Sequence, residues 1–181
     1  NYFLLRELGE GGMGTVYAAK HRSEAYAARQ GEVAIKVLDR KLAKRADICE
    51  RFEREAMLLK DLDHPGIVAV HEVGDHDGVP FIVTDVLEGK PLSELLEHRW
   101  PDFRQSAELI AKLAEAAAHA HDHGVIHRDI KPENVVVESD GTPRLLDFGV
   151  AHDRDAETRL SQTGQILGSP YFLAPEQVRA R

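Results

Sequence analysis

The sequence predicts an α+β protein with two unequal lobes, a small β-rich lobe followed by a mostly helical one. Short β-rich runs separated by turn signals occupy the first part, whereas strong helical periodicity appears only after Glu88-Gly89. The chain has 181 residues, of which 43 % are hydrophobic, enough for one or two domains with a real core. We assign residues 1–86 to the first lobe and residues 87–181 to the second.

The composition excludes several functional classes. With 23 Lys+Arg against 31 Asp+Glu, the net charge of −8 argues against a nucleic-acid partner, which requires a basic surface. The single cysteine, Cys49, excludes an internal disulfide and suits a reducing compartment. No run approaches the ~18 apolar residues of a membrane span. We therefore expect a cytoplasmic protein, or the cytoplasmic domain of a membrane-anchored one.

The first lobe is expected to contain three antiparallel strands, one main helix and two further strands. Three strands come first, and the first two form a hairpin around the glycine cluster Gly9–Gly14. A polar segment precedes the third strand, and its residues Ser23–Gln30 are interpreted as a surface insertion without catalytic consequence. A helix then runs from its N-cap Asp47 to about Asp61, followed by strands near Ile67–His71 and Pro80–Val86.

The second lobe begins with an alanine-rich helix over Gln105–His123, and Gly124 is the expected residue after its C-cap. Two short strands follow, at Val135–Val137 and Arg144–Leu146. Residues 149–170 have low hydrophobicity and predict a long loop, which inside a compact chain is usually functional or disordered.

The glycine cluster fits the pattern G-x-G-x-x-G-x-V, in which backbone without Cβ atoms comes close to a phosphate. A dinucleotide-binding fold places a helix directly after such glycines. Here Thr15–Ala18 predicts a strand instead, which disfavours that fold. The pattern alone is also compatible with a plain glycine-rich hairpin.

The main helix of the first lobe carries a carboxylate on its apolar face. Glu55 falls in the middle of a stripe of four apolar residues that lie within about 80° of one another at 100° per residue: Ile48, Phe52, Leu59 and Leu62. A carboxylate facing a core is costly unless it is paired. We therefore predict an ion pair with Lys36 on the third strand.

The segment His127–Asn134 concentrates acid, base and amide groups in eight residues. Asp129 can accept a proton from a hydroxyl, and Lys131 can neutralise a transferring phosphoryl group. Asn134 can offer an amide oxygen to a hard cation, and Asp147 adds a second oxygen ligand from the end of another strand. These residue types together predict phosphoryl transfer.

Six motifs occur in an order that resembles the serine/threonine protein kinases of the bacterial, eukaryotic-like kind. They are the glycine loop, Val33-Ala34-Ile35-Lys36, Glu55, His127 to Asn134, Asp147-Phe148-Gly149, and Ala174-Pro175-Glu176. The resemblance covers essentially the whole chain. It implies a protein-kinase-like two-lobe fold, with a five-stranded antiparallel N-lobe and a mostly helical C-lobe that is incomplete here.

The resemblance implies ATP and Mg²⁺ as cofactors, with Mn²⁺ as an alternative. The catalytic residues would be Asp129 as the base, with Lys131, Lys36, Glu55, Asn134 and Asp147, of which Asn134 and Asp147 would ligate the metal. The nucleotide site would comprise Leu8, Gly9, Glu10, Gly11, Gly12, Met13, Gly14, Val16, Ala34, Lys36, Thr84, Asp85, Leu87, Val136 and Asp147. In this site Thr84 is the gatekeeper, and the backbone of Asp85 and Leu87 binds adenine.

The resemblance also implies regulation and a substrate class. Arg128 precedes the base, a pattern of kinases switched on by activation-loop phosphorylation, and Ser161 or Thr163 would be the autophosphorylation site. Ser169 lies at the position where family members have a threonine or serine that contacts the residues matching Asp129 and Lys131. This match favours protein substrates with serine or threonine acceptors. The sequence leaves dimerisation open.

Three alternatives remain: a pseudokinase or partner-binding module, an inactive fragment, and a small-molecule kinase. Lys36, Asp129 and Asp147 are all present, which argues against a pseudokinase. The Ala174-Pro175-Glu176 motif argues against a small-molecule kinase of the aminoglycoside or choline type. Since family members continue well past this motif, we expect residues 1–181 alone to be poorly soluble or inactive.

Overall fold

A five-stranded antiparallel sheet forms the first part of the molecule, with the strand order β1-β2-β3-β5-β4. Its strands are β1 (Tyr2–Gly11), β2 (Gly14–His21), β3 (Glu32–Leu38), β4 (Val70–His76) and β5 (Val79–Asp85). The computed structural model describes residues 1–98 and 100–148, together with Phe172 and Pro175. The predicted 149–170 loop lies outside the described residues.

The β1–β2 hairpin turns at the glycine cluster, as predicted, with Gly11 opposite Gly14. The segment interpreted as a surface insertion contains a short helix, α1 (Glu24–Gln30), which ends at Gly31 with a φ of 69°. None of the α1 residues is buried, so no apolar periodicity marked this helix in the sequence.

The main helix, α2 (Ala46–Lys60), buries the predicted face that contains Ile48, Phe52 and Leu59. The prediction that Asp47 is its N-cap is wrong, because Arg45 occupies that position. The Arg45 Nη2 atom lies 2.7 Å from Asp47 Oδ2, inside the first turn of the helix. A carboxylate in the first turn still favours the helix through its dipole.

The fourth strand begins later than predicted, at Val70 rather than near Ile67, and continues to His76. Ile67 instead forms a parallel bridge with Leu145 from the second half of the chain. The Leu145 N–H donates to the Gly66 carbonyl at 2.8 Å, and the Val68 N–H donates to the Leu145 carbonyl at 3.2 Å. The segment before β4 thus ties the sheet to the second half of the molecule.

The second half contains a small sheet with the order β6-β7-β8 and two helices in its described residues. The elements are β6 (Gly89–Pro91), α3 (Leu92–His98), α4 (Phe103–Asp122), β7 (Val135–Glu138) and β8 (Pro143–Leu145). The sequence predicted α4, β7 and β8 but missed β6 and α3. Gly124 follows α4 with a φ of 76°, as its predicted position after the C-cap requires.

One hydrophobic cluster joins α2 and α4 to the strands of the small sheet. Phe52 and Leu59 of α2, Leu113 of α4, Leu145 of β8 and Phe148 all belong to it. Because this core crosses between the two halves, it fixes where the loops at their junction lie. Within the described residues, no helix is both long enough and apolar enough to cross a membrane.

Candidate active site

The loop between α4 and β7 is anchored by a buried histidine. His127 is 1 % exposed, and its Nε2–H donates to the Leu146 carbonyl at 2.7 Å. The Asp129 N–H donates to His127 Nδ1 at 3.3 Å, so a neutral ring satisfies both contacts. Burial lowers the pKa of His127, outweighing the bond to the Leu146 carbonyl, which acts in the opposite direction.

The predicted acid–base residues of this loop converge on one carboxylate. Asn134 Nδ2 donates to Asp129 Oδ2 at 2.8 Å and to the Asp129 carbonyl oxygen at 2.8 Å. Lys131 Nζ lies 2.8 Å from Asp129 Oδ2. The 3₁₀ turn Pro132–Asn134 brings the amide back onto the aspartate. The loop therefore presents a carboxylate that is oriented by an amide and accompanied by an ammonium group.

Asp147 lies beside this loop because β8 leads directly to it. The Leu146 N–H donates to the Asn134 carbonyl at 2.9 Å, which places the backbone of Asn134 next to Asp147. Asp147 has a φ of 51° and Arg128 a φ of 65°, conformations that non-glycine residues adopt rarely. Such backbone costs about 1–3 kcal/mol each and concentrates at functional sites.

The predicted ion pair between Lys36 and Glu55 is not formed, and this prediction is wrong. Lys36 Nζ instead lies 2.5 Å from Asp147 Oδ1. Glu55 Oε1 lies 3.3 Å from Arg128 Nη1, and the two side chains are 19 % and 28 % exposed, respectively. The apolar stripe of α2 correctly implied that Glu55 faces inward and needs a cation. It did not identify which cation lies opposite.

The glycine turn shows which of its glycines the fold itself requires. A Cβ atom on Gly14 would lie 1.9 Å from the Val37 carbonyl oxygen, so packing against β3 demands glycine there. A Cβ atom on Gly9, Gly11 or Gly12 would meet nothing within 4 Å. The fold gives no steric reason for these three glycines, and the open space beside them can admit a ligand.

The other predicted nucleotide residues lie on facing positions of the sheet. Val16 is opposite Lys36 in the β2–β3 pair, and Ala34 is opposite Thr84 in the β3–β5 pair. Ala34 is buried, as is Val136 on β7. Asp85 ends β5, and Leu87 lies in the loop that follows it.

A further residue, His71 on β4, contacts this end of the sheet and was missed by sequence reasoning. Its Nε2 lies 2.7 Å from Asp85 Oδ1. The sequence placed His71 only in the predicted fourth strand, and no pattern there marked it as a partner of Asp85.

The donor set of the loop fits a hard divalent cation bound together with phosphates. The amide nitrogen of Asn134 is engaged by Asp129, so its Oδ1 could serve as a ligand atom, and Asp147 could add carboxylate oxygens. Mg²⁺ is usually held by one or two carboxylates plus substrate phosphates. Within the described residues, no cluster of three His, Cys, Asp or Glu side chains could hold a metal ion.

Of the predicted regulatory residues, Arg128 lies in the described structure and contacts Glu55. Ser161, Thr163 and Ser169 lie outside the described residues. The same holds for Ala174 and Glu176 of the last motif.

The chain is similar to a known protein family and to characterised bacterial proteins. The protein kinase domain family matches residues 2–181. The serine/threonine-protein kinase PrkC of Bacillus subtilis is 36 % identical over 179 residues, which cover 98 % of this chain and 27 % of PrkC. The serine/threonine-protein kinase pkn2 of Myxococcus xanthus is 40 % identical over 179 residues, or 96 % of this chain and 21 % of pkn2. The chain thus spans between a fifth and three tenths of the length of such relatives.

A solved structure supports the fold independently. The crystal structure of the Mycobacterium tuberculosis PknI kinase domain matches with a TM-score of 0.70 at 35 % identity. The match covers 83 % of this chain and 60 % of the PknI chain. The two-lobe fold predicted from the motifs is confirmed by this likeness, including the five-stranded antiparallel sheet.

Proposed function

This chain belongs to the protein kinase family, and from that premise we propose that it forms the ATP-binding and catalytic part of a protein serine/threonine kinase. The observation that carries the proposal is the convergence of Asn134 and Lys131 on the Asp129 carboxylate, next to Asp147. We assign residues 1–86 to the N-lobe and residues 87–181 to part of the C-lobe of one kinase domain.

The reaction proposed is transfer of the γ-phosphoryl group of ATP to a serine or threonine hydroxyl. The hydroxyl oxygen forms a bond to the γ-phosphorus, the bond from that phosphorus to the β–γ bridging oxygen breaks, and ADP leaves. Asp129 orients the hydroxyl and accepts its proton. Lys131, 2.8 Å from Asp129, stabilises the negative charge on the transferring group. The chain contributes by positioning and electrostatics rather than by covalent chemistry.

ATP would bind between the five-stranded sheet and β7, beside the glycine hairpin. The open glycines of the hairpin let their backbone approach the phosphates. Val16 and Ala34 would contact one face of adenine and Val136 the other, while the backbone of Asp85 and Leu87 binds its edge. Lys36 would bind the α- and β-phosphates.

Asn134 and Asp147 would hold Mg²⁺, and the same oxygen ligands also accept Mn²⁺. The bound cation would neutralise charge on the phosphates. Lys36 Nζ lies 2.5 Å from Asp147 Oδ1. A divalent cation bound to Asp147 would therefore compete with Lys36 for this carboxylate. Glu55, held by Arg128, keeps α2 beside the catalytic loop.

Regulation would act through the segment after Asp147. A phosphate on Ser161 or Thr163 would gain charge-assisted hydrogen bonds from Arg128 and order that segment. Ser169 would favour serine or threonine acceptors. The reducing compartment inferred from composition would be the cytoplasm.

Mass spectrometry after incubation with ATP tests the proposed phosphorylation of Ser161 or Thr163. An unmodified 150–170 peptide in fully active protein would contradict it.

The decisive test of the proposed function compares wild type with Asp129→Asn in the full-length protein. With radiolabelled ATP and a basic acceptor protein, we expect D129N to lower kcat by about 10²- to 10⁴-fold, the usual contribution of a general base. Asp77→Asn gives a matched control, because Asp77 is 89 % exposed in a distant turn. Equal incorporation by wild type and D129N, or none by wild type, would overturn the proposal.

A further inference from the structure

β4 departs from regular pairing at His71. Val70 lies opposite Thr84 and Glu72 opposite Val83, so His71 is an extra residue in this strand, a β-bulge. Bulges commonly change the direction of a side chain. Here the His71 Nε2–H donates to Asp85 Oδ1 at 2.7 Å, and the two side chains are 27 % and 41 % exposed.

Asp85 is held by the protein at each of its polar groups. Its N–H donates to the Ala69 carbonyl at 3.3 Å, and its carbonyl accepts from the Thr84 hydroxyl at 3.2 Å. His71 holds its carboxylate. A carbonyl oxygen has two lone pairs, so the Asp85 carbonyl can accept one further hydrogen bond after that from Thr84.

We propose that His71 is a positioning residue for nucleotide binding. By fixing the Asp85 carboxylate from the β4 bulge, it holds the end of β5 so that the second lone pair of the Asp85 carbonyl meets the amino group of adenine. The inference rests on the proposed function, since Asp85 contacts a nucleotide only if ATP binds along β5. His71 itself touches neither nucleotide nor reacting atoms.

The expected signature follows from preorganisation. Without His71, the last residue of β5 keeps its backbone contacts but loses the side-chain restraint, and binding must then order it at a cost in affinity. Because the restraint acts equally in the ground state and the transition state, its loss raises KM for ATP while kcat stays unchanged. A residue that only stabilised the sheet would lower the melting temperature without moving nucleotide affinity.

The experiment uses the full-length protein with His71→Phe, His71→Gln and a matched control, His76→Phe. His76 lies on the same strand but is 84 % exposed. By calorimetric titration with ADP and Mg²⁺, we expect H71F to weaken binding about three- to fivefold, the upper range for a partly exposed polar side-chain contact. H71Q keeps a side-chain N–H donor and should bind as wild type does, as should H76F. The kcat of H71F at saturating ATP should match that of wild type.

Three results would overturn the inference. One is an ADP affinity of H71F equal to that of wild type, whatever its melting temperature. Another is weakening by H71F that H71Q reproduces in full, because the hydrogen bond would then not be the cause. The third is an effect of H71F undiminished in an Asp85→Ala background, which lacks the side-chain acceptor for the His71 N–H. If wild type itself fails to bind ADP or transfer phosphate, the proposed function fails, a result separable from the other three.

Discussion

The loop that carries Asp129 and the helix that carries Glu55 hold their charges in different ways. In the loop, Lys131 and Asn134 reach Asp129 across two and five residues of sequence. Glu55 is paired with a residue 73 positions away, and Lys36 with one 111 positions away. A local pair is set by a single turn of backbone, whereas a remote pair depends on where whole elements lie. We therefore expect the contacts of Asp129 within the loop to persist. The ion pairs of Glu55 on α2 and Lys36 on β3 should be able to exchange partners.

Gly14 and Gly11 extend the comparison to the hairpin, because only Gly14 is required by packing against a neighbouring strand. We expect Gly14→Ala to destabilise the protein by about 2 kcal/mol or more, because its Cβ would lie 1.9 Å from the Val37 carbonyl in a strained backbone. Gly11→Ala should change stability by less than about 0.5 kcal/mol, since nothing lies within 4 Å of the added atom. Urea unfolding measures both values.

The same two variants distinguish glycines needed for stability from glycines needed for nucleotide binding. If the open glycines serve phosphate binding, G11A should weaken ADP binding although its stability is unchanged. Equal stability loss in G11A and G14A would instead mean that the whole turn is structural, and the contrast within the hairpin would disappear.

A double-mutant cycle tests which cation Glu55 uses. Glu55→Gln combined with Arg128→Gln should show a coupling of about 1 kcal/mol in the free energy of unfolding, within the range for partly buried pairs. Glu55→Gln combined with Lys36→Met should show a coupling near zero, because Lys36 is engaged by Asp147. Coupling to Lys36 but not to Arg128 would show that the protein in solution pairs its charges differently.

Much of the fold was predictable because the deciding signals are local. The glycine turn, the apolar face of α2 and the glycine after α4 each follow from residues within one element. The loop that carries Asp129 was predictable for the same reason, since Pro132 after a short apolar run indicates a loop. The contacts that Lys131 and Asn134 make with Asp129 inside this loop were not predicted.

The features that the sequence did not predict depend on the placement of distant elements or show no pattern in the sequence. The partner of Glu55 is decided by how close Arg128 comes to α2, which no spacing encodes. Helix α1 buries no residue and so shows no periodicity. The bulge at His71 is an extra residue in one strand relative to its neighbour, and it is defined only once both strands are paired.

The loop side of the comparison also predicts a small pH dependence. Burial lowers the pKa of His127, so the folded protein keeps this ring neutral where the unfolded chain already takes up a proton, near pH 6.5. Between those two pKa values the unfolded state binds more protons, and stability therefore falls as pH drops below about 6.5. The ceiling is about 1.4 kcal/mol per pH unit for one group.

His127→Gln isolates this contribution, because glutamine keeps an N–H donor for the Leu146 carbonyl but does not titrate. The melting temperature of H127Q should lie below that of wild type at pH 7.5, and the gap should narrow as the pH falls to 5.5. His76→Gln, which replaces an exposed histidine, is the control for the loss of a histidine elsewhere in the chain. A gap for H127Q that widens at low pH would mean that folded His127 carries a proton. The loop would then depend on charge as α2 does, and the distinction between the two regions would be lost.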